Sequence, residues 1–428
     1  MAPANEHKNI VILGGGIIGC TSAYYLTRHP SYDPSKHKIT LLEASKIAGG
    51  ASGKAGGLLA LWAYPSSIVP LSYKLHKELA EEHGGAKRWG YRAVHCGQVD
   101  CVGRQLPEQR GNDESNANGT NSNGQPGAGG KADNVSLQKN PPKKDSAKRG
   151  AMGIPEDLEW VAQDALRAYD EMGDPSTTAQ VHPRQFTESM IELAKEKGVE
   201  VKTQSPVKSI NYKDNEDQVE SVTYTNKSTG QEETIPATDI VLAAGPWTRS
   251  VYPSAPIGAL RAHSVTIKAD VSPYALFTQI RLPSKFPSTK SKGPHSGTIV
   301  SPEIYARPNN EVYACGEGDH EVPLPSSSDD VEVDQSRCQD IVDFVSSISD
   351  ELRNGEITAR QACYLPSVNG SNSPLVGPTG VKGLWMAAGH TCWGIQNGPG
   401  TGKLVSEFVF DGKAQSAKVQ GLDPRNYL

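Results

Sequence analysis

Gly14-Gly15-Gly16-Ile17-Ile18-Gly19 follows the apolar run Asn9–Leu13 and precedes a helical stretch through Ser22-Ala23-Tyr24-Tyr25-Leu26. Strand, GxGxxG, helix is the context in which this spacing binds a dinucleotide. The first glycine permits a tight turn and the second lets the backbone approach a pyrophosphate. The third packs helix against strand, and the helix N-terminus attracts the phosphates. Lys38–Leu42 reads as the next strand and ends at Glu43, whose carboxylate can accept from ribose hydroxyls. A Rossmann-type α/β unit is the fold this stretch demands.

Three further glycine clusters separate the possible dinucleotides. Ala48-Gly49-Gly50-Ala51-Ser52-Gly53-Lys54-Ala55-Gly56-Gly57 comes directly after Glu43. Ala243-Ala244-Gly245-Pro246-Trp247 ends a third strand, and Ala388-Gly389-His390-Thr391-Cys392-Trp393-Gly394-Ile395 opens the last helix. A ligand that touches four widely spaced glycine loops is long, as FAD is, and the pattern disfavours NAD. The helix end near Trp393–Asn397 would offer N–H groups and a positive dipole to the flavin N1/C2=O edge, favouring the anionic reduced ring.

Elsewhere strand and helix alternate. Arg184–Lys197 has helical spacing and stops at Gly198, while Val199–Lys202, Ser221–Thr225, Asp239–Ala244 and Leu384–Ala388 read as strands. The last helix is placed at about Gly398–Phe410, and 262–316 reads as mostly β with Pro-rich loops. From Gln105 to Gly150 there is no aromatic residue, and the large aliphatics are Leu106, Val135 and Leu137. Such a stretch cannot offset its ordering entropy by burial and is expected to be a disordered insertion, 105–150.

With 43 basic and 48 acidic residues the formal net charge is −5, which argues against nucleic-acid or polybasic membrane binding. No run approaches the roughly 18 apolar residues of a spanning helix, and the first apolar stretch is too short for a secretory signal. The seven cysteines form no CxxC pair, so neither a disulfide framework nor a zinc site is signalled, and no metal is expected. Reduced thiols in a cytoplasmic protein are the expectation.

Together, Gly14–Gly19, Glu43-Ala44, Ser52–Gly57, Val181-His182-Pro183, Ser205-Pro206-Val207, Val241–Trp247 and Gly389–Gly402 resemble the FAD-dependent oxidoreductases typified by glycine oxidase, monomeric sarcosine oxidase and D-amino-acid oxidase. Within that family the chain looks like a fungal branch. The resemblance implies an FAD-binding Rossmann-type domain (1–60, 176–250 and 366–428) interleaved with a smaller β-rich, α+β substrate domain (61–104, 151–175 and 251–365). It implies FAD contacts from Gly14, Gly16, Ile17, Ile18, Gly19, Glu43, Ala44, Ser52, Gly53, Ala55, Gly56, Gly57, Val207, Ala244, Gly245, Trp247, Gly389, His390, Trp393, Gly394, Ile395 and Gln396. It further implies hydride transfer from a small molecule to flavin N5, with oxygen or another acceptor taking the electrons.

Two departures from the family pattern bear on the substrate. Where relatives of glycine oxidase carry an Arg-Pro pair that clamps a substrate carboxylate, this chain reads Cys363-Tyr364-Leu365-Pro366. Where sarcosine oxidase has a lysine after the flavin-facing glycine, Gln396 stands. The usual amino-acid anchor is therefore missing. Arg261 and His263 share a strand face with Val265 and Ile267 by period two, and Tyr305 and Arg307 lie on another strand; with His390 these are the candidate catalytic or substrate-contacting residues. The resemblance also raises a covalent flavin link at Cys363, with non-covalent FAD the primary expectation. The reading is oxidation of a small amine. The alternatives are an FAD-dependent hydroxy-acid dehydrogenase using His263 or His390 as base, and a flavin-holding protein whose role is partner binding.

Overall fold

Both faces of the Lys8–Leu13 strand are covered, which is why its sequence is a continuous apolar run and not an alternation. A computed structural model describes residues 7–106, 154–213, 217–284, 286 and 297–428. Residues 107–150 of the expected insertion lie outside the described residues.

The strand is central in a six-stranded sheet ordered Leu375–Pro378, Leu384–Ala388, Asp239–Leu242, Lys8–Leu13, His37–Leu42, Glu200–Lys202. All neighbours are parallel except the first pair. Ile10 and Ile12 face the helices Ile17–Leu26, Pro183–Lys195 and Gly394–Asp411, joining a core with Phe186, Met190 and Val405. Val11 and Leu13 face the other way, toward a three-stranded antiparallel sheet (Val207–Tyr212, Val219–Asn226, Gln231–Pro236) through Ile210, Val222 and Tyr224. The parallel register Ile12↔Leu41 and Ile12↔Val241 brings the ends of three strands to one edge, where the glycine turn, Glu43 and Ala243 meet.

An eight-stranded sheet stands against this assembly. Its main path runs Glu356–Val368, Ile257–Lys268, Glu311–Asp319, Glu303–Arg307, Tyr274–Arg281, His95–Val102, Leu166–Gly173. Val265, Ile267, Ile304, Val312 and Ala314 pack behind it against Cys338, Ile341 and Val345 of the helix Gln335–Ser346. Their odd-even alternates, including Ser264, Tyr305, Tyr313 and Cys315, point to the opposite face.

Most expected elements are found with ends shifted by one or two residues. The last helix is the exception. It starts at Gly394, not Gly398, and runs through Pro399. Proline has no N–H to offer the carbonyl of Ile395, and His76 Nε2 lies 3.0 Å from that oxygen instead. Burial lowers the His76 pKa to about 4, so the ring is neutral and the nitrogen facing Ile395 O is its N–H. All seven cysteines are free thiols. Among the described residues no helix is long and apolar enough to cross a membrane.

Candidate functional site

The turn after the first strand is built by close approaches that only glycine tolerates. Gly14 has φ +112°, and a Cβ there would lie 2.4 Å from Ala243 O. A Cβ on Gly19 would lie 2.0 Å from Gly14 O, so the helix can pack on the turn only through a bare Cα. Neighbouring loops are stitched to this turn by hydrogen bonds. Ile17 N donates to Ser52 Oγ at 2.9 Å, and Gly15 N donates to Glu43 Oε2 at 2.7 Å. Glu43 Oε1 also accepts from Ser45 N at 2.8 Å. Ser45 Oγ donates to the same Oε1 at 3.3 Å, so Glu43, expected to meet ribose, also orders the backbone around it, with the second lone pair of Oε2 left for a ligand.

A cavity of about 260 Å³ extends from this turn to the large sheet. Gly14, Gly16, Ile17, Ile18, Glu43, Ala44 and Val207 line one end. Ser52, Ala55, Gly56, Gly57, Ala244, Gly245 and Trp247 line its flanks, and Gly389, His390, Trp393, Gly394 and Ile395 lie toward the sheet. All four glycine loops thus open onto one continuous space. Gly19, Gly53 and Gln396 do not line it. A Cβ on Gly53 would strike Ala48 O at 2.1 Å, which makes that glycine a packing requirement. Gln396 Oε1 accepts from Ala60 N at 2.9 Å, tying the last helix to the strand Leu58–Ala60.

Of the five catalytic candidates, two reach the cavity wall. His390 lines it, with Nε2 3.0 Å from Thr401 Oγ1, and burial lowers its pKa to about 3. Tyr305 lines it and stacks on Tyr313 at 5.9 Å. Arg307 lies behind that wall, donating to Gly56 O at 3.3 Å and to Ala55 O, and pairing with Glu311 at 2.7 Å. Arg261 and His263 do share one strand face, but it is the face away from the cavity. Their neighbours Ala262 and Ser264 line it instead. Arg261 pairs with Asp319 at 3.0 Å, and His263 Nε2 accepts from Asp334 N at 3.0 Å. Period two tells which side chains share a face; it does not tell which face meets the cavity when both are buried.

Polar wall residues that lie outside every quoted motif include Ser264, Glu303 and Tyr313. Parity with Tyr305 on its own strand was the available signal for Glu303. Among the described residues lining the cavity, Glu43, Lys54 and Glu303 are the formally charged ones, and none is arginine. Leu365 is on the wall.

These residues fit FAD. The Ile17–Leu26 helix begins at the cavity with Gly16 as its N-cap and no side-chain cap, and the Gly394–Asp411 helix begins there likewise after Trp393. Ile17 N is taken by Ser52 Oγ, and the remaining first-turn N–H groups and the positive dipole ends of both helices are available to an anionic cofactor. Trp393 lines the cavity, and its Nε1 is buried without a partner among the described residues. Thr391 holds φ +54°, a left-handed conformation disfavoured for a β-branched residue and kept in the loop that enters this helix.

Cys363 is on the wall, and burial pushes its thiol up to about 11, against the opposing pull of the Lys54 ammonium. A thiolate, the form that attacks a ring carbon, is scarce at neutral pH under those conditions. Acid precipitation of the purified protein is expected to leave the flavin in the supernatant. Yellow colour retained in the washed pellet would show a covalent link.

A family model described as FAD dependent oxidoreductase (DAO) matches residues 9–408. The Saccharomyces cerevisiae protein TDA3, an oxidoreductase by designation, is 35% identical over 98% of this chain and 95% of its own length. A Schizosaccharomyces pombe protein with the same designation is 35% identical over 99% of this chain and 100% of that protein. Among solved structures, glycine oxidase from Geobacillus kaustophilus superposes with TM-score 0.66 at 17% identity, covering 99% of this chain and 100% of that one. Iminodiacetate oxidase from Chelativorans sp. BNC1 does so with TM-score 0.65 at 16% identity, covering 97% and 98%. At these identities the superpositions speak to the fold.

Proposed function

The chain belongs to the FAD-dependent oxidoreductase family, and from that premise we propose that it oxidises a small amine at the C–N bond without a carboxylate-binding arginine. The supporting observation is the wall itself: among its described residues there is no arginine, and Leu365 occupies the stretch where the family resemblance places one.

FAD, when bound, supplies a two-electron acceptor for hydride. Gly14, Gly16, Ile17, Glu43 and Ser52 are assigned to its diphosphate and ribose side, and Ala55–Gly57 with Gly389–Ile395 to its ring. The helix end at Gly394-Ile395 favours negative charge next to it. The hydrophobic wall around Tyr305, Tyr313 and Trp393 keeps water from the reacting carbon. An amine needs mainly orientation once it is neutral, so a dedicated base is not required.

A hydroxyl substrate would need a proton acceptor. His263 faces away from the cavity, and His390, with its pKa lowered to about 3, is a weak one. This disfavours a hydroxy-acid reaction that uses either histidine as its base. Anaerobic addition of primary and secondary amines, amino acids and hydroxy acids to the holoenzyme, followed by visible absorbance, is the test. Amines should bleach the flavin and hydroxy acids should leave it yellow. Bleaching by hydroxy acids alone would overturn the proposal. Return of the yellow colour on admission of air would show oxygen as a competent acceptor.

A further inference from the structure

The floor of the cavity is the face of the large sheet, and its Glu43 end is crossed by a stretch of chain that belongs to that sheet's domain. This stretch is the connection from the strand Glu311–Asp319 to the helix Gln335–Ser346. Ser326, Ser327 and Ser328 line the cavity there, while Pro323, Ser326, Asp329 and Asp330 are exposed. Among the described residues, one thickness of chain therefore stands between this end of the cavity and solvent. The sequence stiffens the span. Val322 and Leu324 each precede a proline, which disfavours the helical region for both and keeps 322–325 extended.

Three side chains latch this strap. At its root Tyr364 OH lies 2.9 Å from Val322 O and 3.0 Å from Pro323 O. Trp247 Nε1 donates to Pro325 O at 2.7 Å, and Ser328 Oγ lies 2.6 Å from Ser45 Oγ. Ser45 Oγ itself donates to Glu43 Oε1, so Ser328 is the donor of that pair and is chained to the carboxylate assigned to the ribose side. Gly49 makes room for the latch, because a Cβ there would lie 3.0 Å from Ser328 Oγ. Tyr364 holds the strap to the large sheet, whereas Trp247 and Ser45 hold it to the dinucleotide-binding side.

We propose that 322–328 is the gate through which FAD enters and leaves, closing over the diphosphate and ribose side of the site and opening at Ser45 and Trp247. The inference concerns the cofactor alone and holds whatever the substrate. The other walls are harder to part. The glycine turn is fixed by parallel pairing of its strand on both sides, and Gly57 O accepts from Val181 N at 3.0 Å. The last helix is buried throughout Ile395–Gly402. By contrast, among the described residues 322–326 form no backbone-to-backbone hydrogen bond. Opening the strap breaks a few side-chain hydrogen bonds of modest net strength and disrupts no sheet or helix, the character of a segment that opens locally.

The test uses the full-length double variant Ser45→Cys/Ser328→Cys, purified with FAD. The two hydroxyl oxygens lie 2.6 Å apart, near the S–S bond length of about 2.05 Å. Diamide takes up the two electrons and two protons as the thiols join, and dithiothreitol returns them. Release of FAD on dilution is followed by flavin fluorescence, the cross-link is counted by mass spectrometry, and diamide-treated parent protein corrects for the native thiols. Release should slow about tenfold or more in the cross-linked form and recover on reduction, so the sample is its own control. Equal release rates from cross-linked and reduced protein would overturn the proposal. Tyr364→Phe loosens the strap from behind, since Tyr364 is buried and does not line the cavity. The latches are bonds within the protein and hold the strap with or without cofactor. Losing one should speed FAD release and FAD entry together, each about fivefold, while Kd changes less than about threefold. Faster release with unchanged or slower entry would mean a distorted site and not a gate, and would sink the inference.

Discussion

Gly14→Ala should purify nearly colourless. A methyl group at this position would lie 2.4 Å from Ala243 O, 2.8 Å from Ala243 C and 2.9 Å from Ala244 Cα, and every one of these atoms is backbone. The φ of +112° is itself unfavourable for alanine. Ala243 and Ala244 cannot retreat cheaply, because the strand that delivers them, Asp239–Leu242, is paired residue for residue with Lys8–Leu13. Relief must come from moving the turn or the Ala243–Gly245 loop, and both line the cavity. Strain of about 1–3 kcal/mol, carried on the cofactor-bound form, corresponds to about a 5- to 150-fold loss of FAD affinity. The flavin-to-protein absorbance ratio after purification and the Kd of FAD added back by fluorescence quenching measure it. Gly245→Ala is the matched control: it also has positive φ, +54°, but its Cβ would meet nothing within 4 Å. Its affinity should fall less. Equal losses at both positions would show that left-handed φ, and not the backbone approach, sets the requirement.

That contrast explains what the sequence makes legible. The strand, the glycine turn, the helix and Glu43 are contiguous, and their spacing encodes close backbone approaches that no other residues satisfy. The last helix begins four residues before the expected Gly398 and runs through Pro399. The compensating group, His76, comes from a distant segment and bonds Ile395 O only after folding. The cavity floor was harder still. Ser264, Tyr313 and Glu303 belong to three strands with no shared motif and become neighbours only through antiparallel pairing. Arg261 and His263 looked functional because a buried charge on an apolar strand needs a partner. The reasoning was sound, but the partner is Asp319, not a substrate.

Asp319→Ala should be the most destabilising single substitution behind the cavity floor. Asp319 has no exposed side-chain surface and Arg261 is 1% exposed, with Arg261 Nη2 3.0 Å and Arg337 Nε 3.3 Å from the carboxylate. Asp319 Oδ1 also accepts from Glu321 N at 3.0 Å. On the same face His263 Nε2 accepts from Asp334 N, while Asp334 Oδ1 caps the helix Gln335–Ser346 through Ser336 N. One carboxylate therefore fixes two guanidinium groups at the place where that helix is held against the sheet. Removing it leaves Arg261 and Arg337 to share the half-buried Glu321, at 3.8 and 2.9 Å, in place of a fully buried counter-charge, a loss of about 3 kcal/mol. Burial alone would raise the Asp319 pKa, but the Arg261 hydrogen bond and the Arg337 charge outweigh it and hold the carboxyl below its ordinary value. A depressed folded-state pKa contributes stability that is present above the unfolded-state value and lost as pH falls through the folded one. Thermal melts of the parent should therefore weaken on the acid side, and Asp319→Asn should flatten that limb while lowering the neutral-pH midpoint. Flavin spectra of folded Asp319→Asn should stay close to those of the parent, because Arg261 and His263 turn away from the cavity. A variant with full thermal stability and a displaced flavin spectrum would instead place this cluster in contact with the site.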